Sequence, residues 1–249
     1  MMQTTSLDLA LTSAAVLGFR HGFDYDHIAA ISDITSVESS RRQAMRMGLL
    51  YVLGHAAMVA VLGSAVITFQ RSLPRSIDHW AERAVGLTLL ALGVYVLGTL
   101  LQGKANLPRS RASILIAAFR WLVWKLRQIC GTPSAAPPAE KSGSYGPRSV
   151  FLIGIIHGLG AETPSQLLLF LLAANLGGLA RGFLGLSIFL AGLVAMNTLM
   201  TASAIGIFGL SAAKPAMLRF VIGAVAAYSV VVGSIFLFGA ASFLPPLGG

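Results

Sequence analysis

Six long apolar stretches dominate the chain, at residues 7–34, 47–69, 84–101, 150–173, 183–210 and 217–243. A bilayer's hydrocarbon core takes about 20 residues of helix to cross. Inside it every backbone N–H and C=O must find an internal partner, which a helix provides. Only 11% of the residues are charged and the mean hydropathy is +0.77, against about 25% charged in a soluble domain. The expected fold is therefore all-α, a polytopic integral membrane bundle of six spans. The N-terminus does not read as a signal peptide: no Lys or Arg precedes the first apolar run, and Asp8 falls near its start.

Residues 103–148 differ in composition from everything around them. Stretch 112–129 mixes apolar residues with Arg120, Lys125, Arg127, Trp121 and Trp124, the pattern of an amphipathic helix lying on a membrane surface. Residues 131–147, rich in Pro, Gly and Ser, read as a flexible linker. This gives three regions: a membrane half at 1–102, a basic loop at 103–148 and a second membrane half at 149–249. The loops at 38–46, 103–148 and 214–219 hold 13 of the 18 Lys and Arg residues, so those loops are expected on the cytoplasmic side. The net charge of +9 sits in loops between apolar runs, which suits anionic lipid and gives no reason to invoke nucleic acid. The expected location is the inner cell membrane, with several passes. A homo-oligomer is compatible with the sequence. Cys130 is the single cysteine, so no internal disulfide and no thiolate-rich metal site can form.

Against this apolar background one segment stands out. Residues 18–35 contain Arg20, His21, Asp24, Asp26, His27 and Asp33. A charge near the middle of a membrane helix costs roughly 2.5–3.5 kcal/mol on insertion scales, so such groups pair, bind an ion or line a wet cavity. Imidazole suits nickel, copper, zinc and cobalt, and carboxylates add the charge that neutralises a dication. His21 and Asp24 share a helical face, as do Asp24 and His27. His21 and His27, however, are about 240° apart at 100° per residue, so one regular helix cannot bring both to one ion. Either a break near Gly22 or ligation through the motif's backbone nitrogens is needed. The other polar residues in the spans are His55, His157, Glu162 and Asn197. A lone membrane histidine more often makes a hydrogen bond between helices than it binds a metal. On that ground His55 by itself does not mark a site, and Asn197 reads equally as a link between helices. Asp33 is expected near the interface as a helix cap, and His79 in a polar connection.

The segment also has an echo. Gly18-x-x-His21-Gly22 and Gly154-x-x-His157-Gly158 share the pattern G-x-x-H-G, with acids four residues further on at Asp26 and Glu162. Each copy opens a half of three spans, which would make the halves inverted in the membrane, with the site near the midplane on interrupted helices. No H-E-x-x-H and no phosphate-binding or dinucleotide-binding glycine loop occurs, and no C-x-x-C-H for covalent haem. An enzyme is not expected, and no prosthetic group.

The H-x4-D-H arrangement of His21, Asp26 and His27 resembles the signature of the nickel/cobalt transporter family. Leu53-Gly54-His55 is similar to that family's second motif, residues 159–166 to its third and residues 192–198 to its fourth. The departures are Glu162, Gln166 and Asn197, where the family has Asp, Glu and Asp. The family commonly has eight spans, against six here. The resemblance implies a permease for a divalent cation, Ni²⁺ or Co²⁺, as transported ligand, working by alternating access. His21, Asp26 and His27 would ligate it, and Asp24, His55, His157, Glu162 and Asn197 would complete or relay the site. A metal exporter, or a haem or redox protein using paired histidines, are the competing readings.

Overall fold

The computed structural model describes residues 2–36, 38, 40–69, 75–101, 146–160, 175 and 177–244. Among them the chain is helical and contains no strand: α1 (Met2–His21), α2 (Tyr25–Ser36), α3 (Arg41–Phe69), α4 (Arg75–Leu101), α5 (Pro147–Gly160), α6 (Leu179–Ser211), α7 (Pro215–Leu237) and a 3₁₀ turn at Ala241–Phe243. The expected surface helix at 112–129, most of the linker and Glu162 lie outside the described residues.

Among the described residues, three helices are long and apolar enough to cross a bilayer: Arg41–Phe69, Leu179–Ser211 and Pro215–Leu237. The apolar helix Pro147–Leu159 is shorter. Only 22% of the apolar window of α7 is buried and 28% of that of α6. Phe220, Val231, Leu199 and Leu210 point outward from these helices, a surface that lipid tails accept without cost. The long helices stop where local chemistry stops them. Pro215 opens α7 with its fixed φ. Gly239 closes it at φ +70°, with its N–H on the Phe236 carbonyl and that of Ala240 on the Ile235 carbonyl, the paired bonds of a left-handed C-terminal cap.

Two boundaries differ from expectation. The first apolar stretch is not one helix: α1 ends at His21 and α2 begins at Tyr25. The third begins earlier than the apolar run, at Arg75, so His79 is an exposed residue of α4 and not of a connection. The reason is ordinary: the polar residues 75–83 have nothing in them to break a helix that the following apolar run stabilises.

Glycines set the crossings. In lipid, apolar burial gives helices little reason to associate, so close backbone approach at small residues carries the packing. A Cβ at Gly18 would run into the Phe189 carbonyl, and one at Gly22 would lie 2.7 Å from Met196 Cβ. The matching contacts on the other side are Gly154 on the Tyr51 carbonyl and Gly158 at 2.8 Å from the His55 carbonyl. Going up α1 thus goes up α6, and going up α3 goes up α5. Gly48 meets Thr201 while Gly63 meets Leu186, so α3 and α6 run antiparallel. It follows that α1 and α5, the two carriers of G-x-x-H-G, point in opposite directions. Helices α4 and α7 close the arrangement through Gly86 and Gly233, each against the other's backbone.

The short α2 occupies the middle. Ala29, Ala30, Ile31 and Ile34 are fully buried in a core shared with Tyr51 and Val52 of α3, Leu89 of α4, Val150 of α5 and Val232 of α7. Asp33 belongs to this interior and not to an interface: it is 0% exposed and accepts a hydrogen bond from Ser229 of α7 at 3.2 Å. The expectation of a surface helix cap fails because α2 is enclosed along its length.

Candidate metal centre

The α1–α2 break solves the problem of two histidines six residues apart. Gly22, Phe23 and Asp24 turn the chain, with the N–H of Phe23 on the Arg20 carbonyl and that of Asp24 on the His21 carbonyl. His21 closes one helix and His27 lies in the first turns of the next, so both rings face the same point. Their ring centroids are 5.0 Å apart at 86°. His55 of α3 completes the group, with its centroid 4.4 Å from that of His27 and 5.5 Å from that of His21. All three rings are buried, and a nitrogen from each lies within 4.8 Å of the other two.

Hydrogen bonds fix which nitrogens face inward. His27 Nδ1 lies 2.8 Å from the His21 carbonyl oxygen. A carbonyl only accepts, so Nδ1 carries the proton and Nε2 the lone pair. His21 Nδ1 lies 2.8 Å from Asp24 Oδ2, and the carboxylate likewise takes the Nδ1 proton. His21 Nε2 is 3.3 Å from His55 Nε2, and His27 Nε2 is 3.3 Å from both ring nitrogens of His55. Two lone pairs thus converge on a neutral imidazole that has a single proton to offer. A cation relieves this shortage of donors. Nitrogen ligands about 2.0–2.1 Å from a tetrahedral ion stand about 3.3 Å apart, which is the spacing found here. The Asp24–His21 pair also has the form of an outer carboxylate that orients and charges a ligating imidazole. Arg20 is exposed and does not take Asp24 away from this role.

The remaining expected residues are dispersed. Asp26, in the first turn of α2, is 2% exposed; its Oδ1 is 4.0 Å from His27 Nδ1 and its Oδ2 is 3.9 Å from His157 Nδ1. His157 does not join the three imidazoles. It is held by Tyr51 of α3 at 3.2 Å and Thr88 of α4 at 3.0 Å. Asn197 is fully buried on α6, and neither of its side-chain polar atoms has a hydrogen-bond partner among the described residues. Three neighbours were not anticipated: Tyr51, Thr88, and Phe189, whose ring lies 5.7 Å from that of His21. Tyr51 had a signal, being four residues before His55 and so on the same face of α3. Thr88 and Phe189 come from distant helices and had none.

A helical bundle enclosing a histidine cluster with a carboxylate behind it has the donor chemistry to hold a transition-metal cation. Residues 9–103 match the NicO family, described as high-affinity nickel-transport protein. The relatives agree. The cobalt transport protein NhlF of Rhodococcus rhodochrous is 27% identical over 180 residues, covering 65% of this chain and 48% of that protein. The high-affinity nickel transport protein of Cryptococcus neoformans is 27% identical over 195 residues, covering 68% of this chain and 36% of that one. The nickel transporter NixA of Staphylococcus aureus is 25% identical over 203 residues, covering 75% and 58%. The chain is thus similar to nickel and cobalt transport proteins, and it spans 36–58% of the length of these three relatives. No solved structure matches it.

Proposed function

We propose that the protein is a permease for a divalent transition-metal cation, Ni²⁺ or Co²⁺, working by alternating access from a site made by His21, His27 and His55. The observation that carries this reading is the convergence of two fixed imidazole lone pairs on a third buried ring at 3.3 Å. Asp24 orients His21, and Asp26 supplies a buried negative charge next to His27. Glu162 and Asn197 complete the set by their place in the family's third and fourth motifs. The site lies in an inner-membrane protein with several passes, whose halves 1–102 and 149–249 are inverted about the basic, cytoplasmic loop 103–148. Opposed α1 and α5 and the crosswise glycine contacts support that arrangement. The cation is cargo and the protein carries no prosthetic group.

A haem reading fits poorly. Paired axial histidines sit on opposite faces of a porphyrin, whereas these rings touch one another. Export in place of uptake leaves the same site in use. The test is uptake of ⁶³Ni²⁺ or ⁵⁷Co²⁺ into proteoliposomes. Wild type should accumulate the ion above protein-free vesicles, and His27→Ala should not. Equal uptake by the two would refute the reading.

A further inference from the structure

Beyond the three-histidine cluster, a buried imidazole and a buried carboxylate face each other. Thr88 Oγ1 gives its only proton to the Val85 carbonyl at 2.7 Å. Toward His157 Nε2, 3.0 Å away, it can therefore only accept, which puts the His157 proton on Nε2 and the lone pair on Nδ1. That lone pair takes the Tyr51 hydroxyl at 3.2 Å and looks across 3.9 Å at Asp26 Oδ2. Asp26 Oδ2 is buried and has no hydrogen-bond partner among the described residues. A buried oxygen left without a donor costs free energy unless something positive visits it. Two ligand atoms 3.9 Å apart, each about 2.1 Å from an ion, subtend about 135° there, an open angle that leaves room for water or a third ligand.

We propose that Asp26 Oδ2 and His157 Nδ1 form a second station for the transported dication, which receives it from the three imidazoles. The proposal rests on the permease reading and adds a step to it. Asp26 lies between the two stations: its Oδ1 is 4.0 Å from His27 Nδ1, on the side of that ring away from the cluster, and its Oδ2 is 3.9 Å from His157 Nδ1. Tyr51 stands between them, its ring 6.2 Å from that of His27, 6.3 Å from that of His55 and 5.6 Å from that of His157. While the second station is empty, the Tyr51 hydroxyl occupies its nitrogen; when the ion arrives, the hydroxyl must swing away. With one nitrogen and one oxygen against three nitrogens, the second station is the weaker of the two. An ion moves on only from a place it does not hold too tightly, which suits a station on the way out.

The test is Co²⁺ titration of the full-length protein in detergent, followed by its visible d–d bands, with size-exclusion elution as the folding control. His55→Ala should weaken Co²⁺ binding and leave a residual site. In that background His157→Phe should weaken the residual binding about tenfold or more. Tyr51→Phe in the same background should tighten it, because the competing hydroxyl is gone. Opposite signs from neighbouring residues are not expected of damage to folding. If His55→Ala with His157→Phe binds Co²⁺ as His55→Ala does alone, or if Tyr51→Phe weakens binding, the second station is wrong and the permease reading stands. A folded wild type that binds no Co²⁺ overturns both.

Discussion

The same five-residue pattern, G-x-x-H-G, ends two helices of this protein and produces two different histidines. Gly18 lets α1 lie against α6 and Gly154 lets α5 lie against α3, each without room for a Cβ. Both histidines are then buried at the far end of a tight crossing. What differs is the group behind the ring. Behind His21 stands a carboxylate, Asp24, which turns Nε2 inward toward two more imidazoles. Behind His157 stands a hydroxyl, Thr88, which turns Nδ1 toward Asp26. Crossing geometry thus buries a histidine, and the group that takes its proton decides what the histidine does.

The largest effect should come from the crossing itself. Gly154→Val forces a side chain into the Tyr51 backbone, where neither helix can yield, and should remove monodisperse protein from the size-exclusion profile. Gly206→Val, where a Cβ meets nothing within 4 Å, should leave the profile as wild type. If both behave alike, the crosswise packing of the halves is wrong.

Next is the ligand against a control of the same chemistry. His27→Ala should lower Ni²⁺ or Co²⁺ affinity by more than the 10–100-fold typical of an outer-shell change, while the exposed His79→Ala should match wild type in calorimetric titration. Asp24→Asn should fall between them, at about 10–100-fold, because it keeps the ring's hydrogen bond but removes the charge behind it. An Asp24→Asn variant as tight as wild type would mean that the carboxylate behind His21 is not what distinguishes it from His157.

The smallest effect is graded by pH. A ligating imidazole must be neutral, and its reference pKa is about 6.5. Protons therefore compete more strongly as pH falls, so affinity should be full at about pH 7.5 and decline steadily toward about pH 5. Constant affinity over that interval would assign the ion to carboxylates alone.

Much of this was legible in the chain, for physical reasons. Apolar runs of membrane length read as helices, and the cost of six ionisable groups in residues 18–35 pointed to the candidate site. The angular mismatch of His21 and His27 called for either a helix break or backbone ligation, and the structure has the break, between His21 and Tyr25. His55 was harder, because one histidine in an apolar run looks the same whether it ties helices together or binds a metal. Only the helix packing, and the turn that aims His21 and His27 at it, bring His55 together with the other two rings. Asp33 misled for a related reason: sequence does not tell that the face of α2 carrying it is buried against other helices. Thr88 was invisible, since its role depends on α4 meeting α5.

The central claim is that three imidazoles meet at one cation. X-ray absorption at the metal edge of Ni²⁺- or Co²⁺-loaded protein tests it most directly, because imidazole rings give a distinctive outer-shell scattering pattern. Three imidazole nitrogens at about 2.0–2.1 Å are expected, and fewer in His55→Ala. A first shell of oxygen alone, or one that His55→Ala leaves unchanged, would contradict the account.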